Sequence, residues 1–298
     1  MKIYDCTTYY SEDMMIDVRL NVLNEYVHKF IITESTYSHS GERKKLNFNI
    51  DNFPKFKDKI IYLVIDKEPN GIIDFEKKDI DPSQIPSIKR ANSVKRINLS
   101  YDFMSDAINE ADDEDLIILS DNDEIPNLSS KEFQNNKKNI IIFKQLFFYY
   151  KFNLLYDLVP WFGSKACKKK NLKSLIWLKY LKNKKYPFWR LDTFFSDNKS
   201  TNVNIIDNGG WHFTNLKTPE DLYKKLTNFG HHDEFELSGL TIDDLKKKIK
   251  EKKVFYNHFV DKSNQKKWEY EYPLKKIDDS YLPKYIQNNK KKFFNWMD

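Results

Sequence analysis

Apolar residues fall along this chain in two alternating periodicities. Lys2–Cys6, Lys29–Thr33 (KFIIT), Ile60–Ile65 (IIYLVI), Asp115–Ser120 (DLIILS) and Asn139–Tyr150 are short runs rich in β-branched or aromatic residues, and they predict strands. After the first, Met14, Met15, Val18, Leu20 and Leu23 recur at three- and four-residue spacing and predict an amphipathic helix, with Ser11 as its cap. A loop with two prolines over 81–86 precedes a long helix over 88–109, whose apolar members are Val94, Ile97, Leu99, Tyr101, Phe103, Met104 and Ile108. Strand, helix, strand, helix, strand predicts βαβ units and a mostly parallel sheet with helices on both faces. The second half is less regular. The Pro-Trp-Phe-Gly segment of 154–164 reads as a turn and 167–185 as a basic stretch. Residues 203–207 and 211–213 read as strands around Gly209-Gly210, and 219–228 and 241–252 as helices. The mixed Lys and aromatic tail, 290–298, reads as a surface helix end.

In a parallel sheet of this kind, ligands sit beyond the carboxyl ends of the strands. Two polar clusters fall there. LIILSDNDEIP (Leu116–Pro126) delivers Asp121, Asp123 and Glu124 into a loop that Pro126 stiffens. Two carboxylates around one spacer suit a hard divalent cation, which keeps open positions for a diphosphate. The plainer reading is a solvated acidic loop. The other cluster, ESTYSHSGERKKLNF (Glu34–Phe48), is rich in hydroxyls and ends in basic residues. That composition suits a nucleotide's ribose and phosphates, and equally a solvated loop. DNGGWHFTNL (Asp207–Leu216) offers Trp211 for stacking on a sugar or base and His212 as a metal ligand or acid/base. A β-bulge with a packed Trp is the bland alternative. FGHHDEF (Phe229–Phe235) holds His and acids that suit a general base or a phosphate contact, or simply a helix end closed by Gly230.

Composition narrows the class. The chain has 298 residues, of which 40% are apolar and 32% charged, with 22 Phe, 18 Tyr and 6 Trp. It can bury a full core without a disulfide or zinc staple. Two cysteines cannot build a disulfide framework. The apolar runs are too short to span a bilayer, and the strand at the first residues leaves no secretory leader, so a cytoplasmic setting is expected. The net charge of +6 is a mild excess on a heavily charged chain. It fits an AT-rich coding sequence, or a weak attraction to phosphate groups or a membrane surface. No GxGxxG, GxxxxGK[ST], GxSxG or HExxH pattern is present.

Several ordered blocks together resemble glycosyltransferase family 17, the family of β-1,4-mannosyl-glycoprotein N-acetylglucosaminyltransferase. They are the opening IYDCTTYYSEDMMIDVRLNVLNEYVHKFIITESTYSHSGERKKLNF, with Asp5, Arg19-Leu20-Asn21 and Glu34; then Arg96, DDEDLIILSDNDEIP and GGWHFTNL; and, more weakly, His232 and Glu234. The resemblance runs from about Ile3 to Phe235. It implies a GT-A-like, Rossmann-like domain over 1–236, with 237–298 as a C-terminal helical elaboration packed on it. It also implies a metal-dependent inverting transfer of a sugar, GlcNAc first, from a UDP-sugar to a hydroxyl of a glycan or glycolipid. Asp121, Asp123 and His212 would hold Mn²⁺ or Mg²⁺, with Asp121 also contacting the donor. Glu34, Arg96 and Trp211 would be further donor or acceptor contacts. Glu234, Asp192 and Asp207 are the candidate bases. The rival enzyme reading is a nucleotidyltransferase. The rival outside enzymes is a non-catalytic glycan- or nucleic-acid-binding module, although nucleic acid is not the expected partner.

Overall fold

The computed structural model describes residues 1–76, 80–193, 195–229, 232–258, 267–268 and 270–298. The strands are β1 (Ile3–Tyr9), β2 (Lys29–Ser35), β3 (Ile60–Ile65), β4 (Leu116–Ser120), β5 (Glu124–Pro126), β6 (Ile140–Tyr149), β7 (Leu154–Leu155), β8 (Trp161–Lys168), β9 (Val203–Ile206), β10 (Gly210–Thr214), β11 (Lys253–Val254), β12 (Tyr272–Pro273) and β13 (Lys275–Lys276). The helices are α1 (Asp13–Leu23), α2 (Ile85–Phe103), α3 (Lys131–Gln134), α4 (Leu175–Tyr180), α5 (Pro219–Asn228), α6 (His232–Ser238), α7 (Ile242–Lys250) and α8 (Lys284–Asn288).

The central sheet runs β13-β7-β6-β8-β4-β1-β2-β3. Its heart is parallel: β3 with β2, β2 with β1, and β1 with β4. β8 enters antiparallel between β4 and β6, and β9 and β10 pair parallel with β6. Alternation along these strands splits the core into two faces. Ile3, Phe30, Ile32, Leu116, Ile118, Ile141 and Phe143 pack under α1 and the C-terminal residues Leu282, Ile286 and Phe293. Tyr4, Cys6, Ile31, Ile117, Leu119, Ile140 and Ile142 pack under the end of α2 and under α4. A strand buried on both faces must be apolar throughout, which is why LIILS reads as an unbroken run, while IIYLVI, at the sheet edge, is half-buried over its middle four residues. A third, aromatic cluster joins Phe147, Tyr149 and Tyr156 to α5, α6 and α7.

Several expectations shift. Glu12, not Ser11, precedes α1, and no side chain caps that helix. Pro82 opens a 3₁₀ turn that runs straight into α2, so the helix starts earlier than its apolar pattern and ends at Phe103. Trp161, Phe162 and Gly163 lie in β8 rather than in a turn. There, a Cβ on Gly163 would stand 2.0 Å from Oε1 of Gln145 on neighbouring β6. The tail is not a solvated end: Phe293 is buried against Phe152, and the Phe152 N–H donates to the Trp296 carbonyl at 2.8 Å. Residues 237–298 are only partly helical. They also supply the pair β11–β12 and the sheet edge β13. Among the described residues no helix is long and apolar enough to cross a membrane.

Candidate active site

The parallel strands β1, β2, β3 and β4 all end at one edge of the sheet. The chain order 3-2-1-4 reverses between β1 and β4, and that reversal opens the crevice where α/β sheets take ligands. Tyr10, Ser11 and Glu12 leave β1 there, and Asp121, Asn122 and Asp123 leave β4.

Arg19 of α1 holds the acidic turn from below. Its Nε and Nη2 donate to Asp5 at 2.7 and 2.6 Å, and its Nη1 donates to the carbonyls of Glu124 at 2.7 Å and Asp121 at 3.4 Å. Both partners of the Asp5–Arg19 pair are buried. Glu124 closes the turn on itself. Its carboxylate accepts the Asp121 N–H at 3.1 Å and the Trp161 indole N–H at 2.9 Å. Burial, joined by the charges of Asp121 and Asp123, raises its pKa above the ordinary carboxylate value. Glu124 is therefore bound up in the turn, while Asp121 is half-exposed and Asp123 keeps a smaller exposed part.

Asp121 accepts the Lys179 ammonium at 2.7 Å and the Tyr101 hydroxyl at 3.1 Å. Burial pushes its pKa up, but Lys179 outweighs that and lowers it on balance. Asp123 Oδ1 lies 3.5 Å from His212 Nε2, and its Oδ2 lies 3.7 Å from the Lys225 ammonium. Burial again opposes ionisation there, and His212 and Lys225 overcome it, holding the carboxyl below its usual range. The Phe213 N–H donates to the Asp123 carbonyl at 2.8 Å, which ties the turn to β10. That approach needs Gly210: its φ is +118°, and a Cβ would stand 2.2 Å from the Ile125 carbonyl oxygen. The His212 ring contacts Trp161 at 4.2 Å and Phe147 at 4.6 Å between centroids, both nearly parallel to it.

The His212 Nδ1 and the Asn122 amide are buried without a hydrogen-bond partner among the described residues. Polar capacity is thus left open at this turn. Asp123 Oδ1 and His212 Nε2 are a hard oxygen and an imidazole nitrogen, at a spacing that two neighbouring ligands of one divalent cation have. No third His, Cys, Asp or Glu joins them into a metal-ligating group among the described residues. The donor set fits a cation that takes its other ligands from phosphates and water.

The other residues singled out in the sequence lie as follows. Glu34 sits at the end of β2, and its carboxylate accepts the N–H groups of Asn47 at 2.8 Å and Phe48 at 3.0 Å, the Tyr62 hydroxyl at 2.8 Å, and Lys44. Arg96 is paired with Glu68 and donates to the His39 carbonyl at 3.0 Å, bracing the loop around Gly41. Trp211 points to the opposite face of β10 from His212, in the core, with its indole N–H on the Tyr281 carbonyl at 2.7 Å. Glu234 is buried on α6, with Lys267 at 2.6 Å and Arg90 at 3.8 Å. Tyr256 lies near both Glu234 and Asp123, and burial with those carboxylates raises its phenol to about 12. Gly230 and His231 of the FGHHDEF segment lie outside the described residues. Asp192 is held by Arg190 at 2.6 Å and Lys199 at 2.7 Å, and the exposed Asp207 by Lys144 at 2.8 Å. The structure does not bring these two to the acidic turn. It adds Glu12, Tyr101, Trp161, Lys179 and Lys225, which the sequence reading had left respectively at a helix start, in the apolar set of the long helix, in a turn, in a basic stretch and in a helix.

The sequence model of glycosyltransferase family 17 matches residues 1–296. The chain belongs to glycosyltransferase family 17. This family 17 protein is therefore a glycosyltransferase enzyme, and the acidic turn is its candidate donor site. No protein of curated function matches the chain. Among solved structures, the family 17 chain is similar to the crystal structure of HddC from Yersinia pseudotuberculosis, at 12% identity and a TM-score of 0.33, over 75% of this chain and 97% of that one. The same protein complexed with GMP-PN gives 13% and 0.31, with the same coverage. At these scores the likeness carries no weight for fold or activity.

Proposed function

We propose that this enzyme is a GT-A-type, metal-dependent inverting glycosyltransferase that moves a sugar, GlcNAc first, from a UDP-sugar to a hydroxyl of a glycan or glycolipid. Family membership supports the reaction class. The observation that carries the finer reading is the meeting of Asp123 and His212 at 3.5 Å, at the carboxyl edge of the parallel strands. Those two side chains would hold Mn²⁺ or Mg²⁺. The cation supplies charge neutralisation for the diphosphate as it leaves.

The chain's own residues do the rest. Tyr101 and Lys179 orient Asp121 at the mouth of the crevice. Lys179 and Lys225 stand beside the two aspartates, where a diphosphate draws on their charge. Arg19 keeps the turn from relaxing when a ligand pulls on it. Inversion needs one carboxylate to take the proton of the acceptor hydroxyl. Of Glu234, Asp192 and Asp207, we assign this to Glu234: all three are paired with cations, but Glu234 alone lies close enough to the acidic turn for its charge and that of Asp123 to bear on the same phenol, Tyr256.

The test is UDP release from UDP-GlcNAc, together with melting in the presence of UDP. UDP at ~100 times its Kd should add roughly 2.7 kcal/mol of stability, and only with Mn²⁺ or Mg²⁺ present. An equal shift in excess EDTA would overturn the cation's role, and ATP outperforming UDP would overturn the donor.

A further inference from the structure

The chain leaving α4 keeps large apolar side chains in water. Phe188 is 78% exposed, Trp189 68%, Leu191 72% and Phe195 91%. Single exposed apolar residues are ordinary, but four of this size within eight residues make a patch.

A fixed frame presents them. Tyr186 is buried, and Lys184, Arg190 and Lys199 place their charges 5.7 to 5.8 Å from its ring. Asp192 bonds Arg190 and Lys199, and the Lys182 N–H donates to the Asn198 carbonyl at 2.8 Å. The patch is also cationic. Lys182, Lys184 and Lys185 are exposed and form no ion pair among the described residues. The one carboxylate within 182–195, Asp192, is already taken by its two cations.

We propose that residues 182–193, with Phe195, dock the enzyme on an anionic lipid surface. Phe188, Trp189 and Leu191 carry most of the exposed apolar surface, and Phe195, although exposed, also lines a cavity with Trp177, Thr193 and Lys199. Trp and Phe favour the headgroup boundary, and lysines beside them are drawn to lipid phosphates. The segment follows α4 directly, and Lys179 of α4 bonds Asp121. Docking therefore brings the acidic turn to within one short helix of the headgroups. This inference does not depend on which sugar is transferred.

Co-sedimentation of the full chain with vesicles tests it. Vesicles of phosphatidylglycerol mixed with phosphatidylcholine should carry the protein down, and pure phosphatidylcholine should not. Added salt should release it. Each of Lys182→Gln, Lys184→Gln and Lys185→Gln should weaken binding by about fivefold. The triple variant Phe188→Ser, Trp189→Ser, Leu191→Ser should lose binding at low salt, while its melting temperature and its UDP release in solution stay as in the wild type. Failure to bind anionic vesicles, or unchanged binding by the triple variant, overturns the proposal. So does wild-type self-association that the triple variant abolishes, which would make the patch a protein interface.

Discussion

Asp5 and Asp121 each meet a cation at 2.6 to 2.7 Å, but in different surroundings. Asp5 lies beneath α1 with both carboxylate oxygens on Arg19, and Arg19 Nη1 donates to two backbone carbonyls. Neither partner is exposed. Asp121 stands at the open edge of the sheet, sharing one oxygen between Lys179 and Tyr101. Distance alone does not distinguish the pairs. A forked arginine in a dry site has no alternative partner, so the pair acts as architecture. A lysine at a half-open crevice can turn to a phosphate at little cost, so the second pair is suited to chemistry. Lys165 offers a third case on the same side of the molecule. It is buried, its ammonium donates to the carbonyls of Lys179 and Leu181, and no carboxylate pairs with it among the described residues.

The largest expected effect is Arg19→Met. It leaves Asp5 buried without its partner and should cost about 3–5 kcal/mol in urea unfolding. A loss under ~1 kcal/mol would mean the pair is no more structural than Asp121–Lys179. Next is Asp123→Asn, expected to reduce transfer at least ~100-fold, or about 2.7 kcal/mol of barrier, while circular dichroism shows the fold intact. Activity within about threefold of wild type would make Asp123 a solvated carboxylate. His212→Ala should weaken UDP–Mn²⁺ binding by about 10- to 100-fold. If melting falls and affinity does not, His212 serves only to pack against Trp161 and Phe147.

The smallest effect is a pH slope. Burial, and then the charge of Lys179, bring the Lys165 ammonium down from 10.5 to about 8. Between those values the unfolded chain binds the extra proton. Stability from this group is therefore present above about 10.5 and is lost as pH falls towards 8. Lys165→Met should flatten the melting temperature against pH in that window. An unchanged slope would mean that Lys165 is not titrating there.

The strands of the first half were legible because apolar neighbours on both faces of the sheet make them unbroken apolar runs, even where, as in β3, the strand is only half-buried. Ile60–Ile65 matches its sequence run at both ends. The α2 boundary was not, since Asp81 and Pro82 read as a loop although the Asp81 side chain accepts the Ser83 N–H and opens the helical turn. Trp161–Gly163 misled for a related reason. Pro160-Trp-Phe-Gly carries turn residues, but the glycine there makes room for Gln145 on the adjacent strand. Within the site, the acidic run and the Gly-Gly-Trp-His block stood out by their residue types. Lys179 and Lys225 did not, because nothing local separates them from the other lysines of a Lys-rich chain.

The alternation of strands and helices in the first half and the acidic run at a strand end follow from local periodicity and residue chemistry, and the sequence alone determined them. Family membership is likewise written in the order of its blocks. Only the tertiary structure decided that His212 meets Asp123, that Glu124 turns inward, that Trp211 packs in the core, and that Phe188 and Trp189 stay in water. The first and third depend on contacts between residues far apart in the chain, as does the Trp161 bond that holds Glu124 inward. Which side of a strand a residue faces, and what stands opposite it, are set by the register of the sheet and not by local spacing.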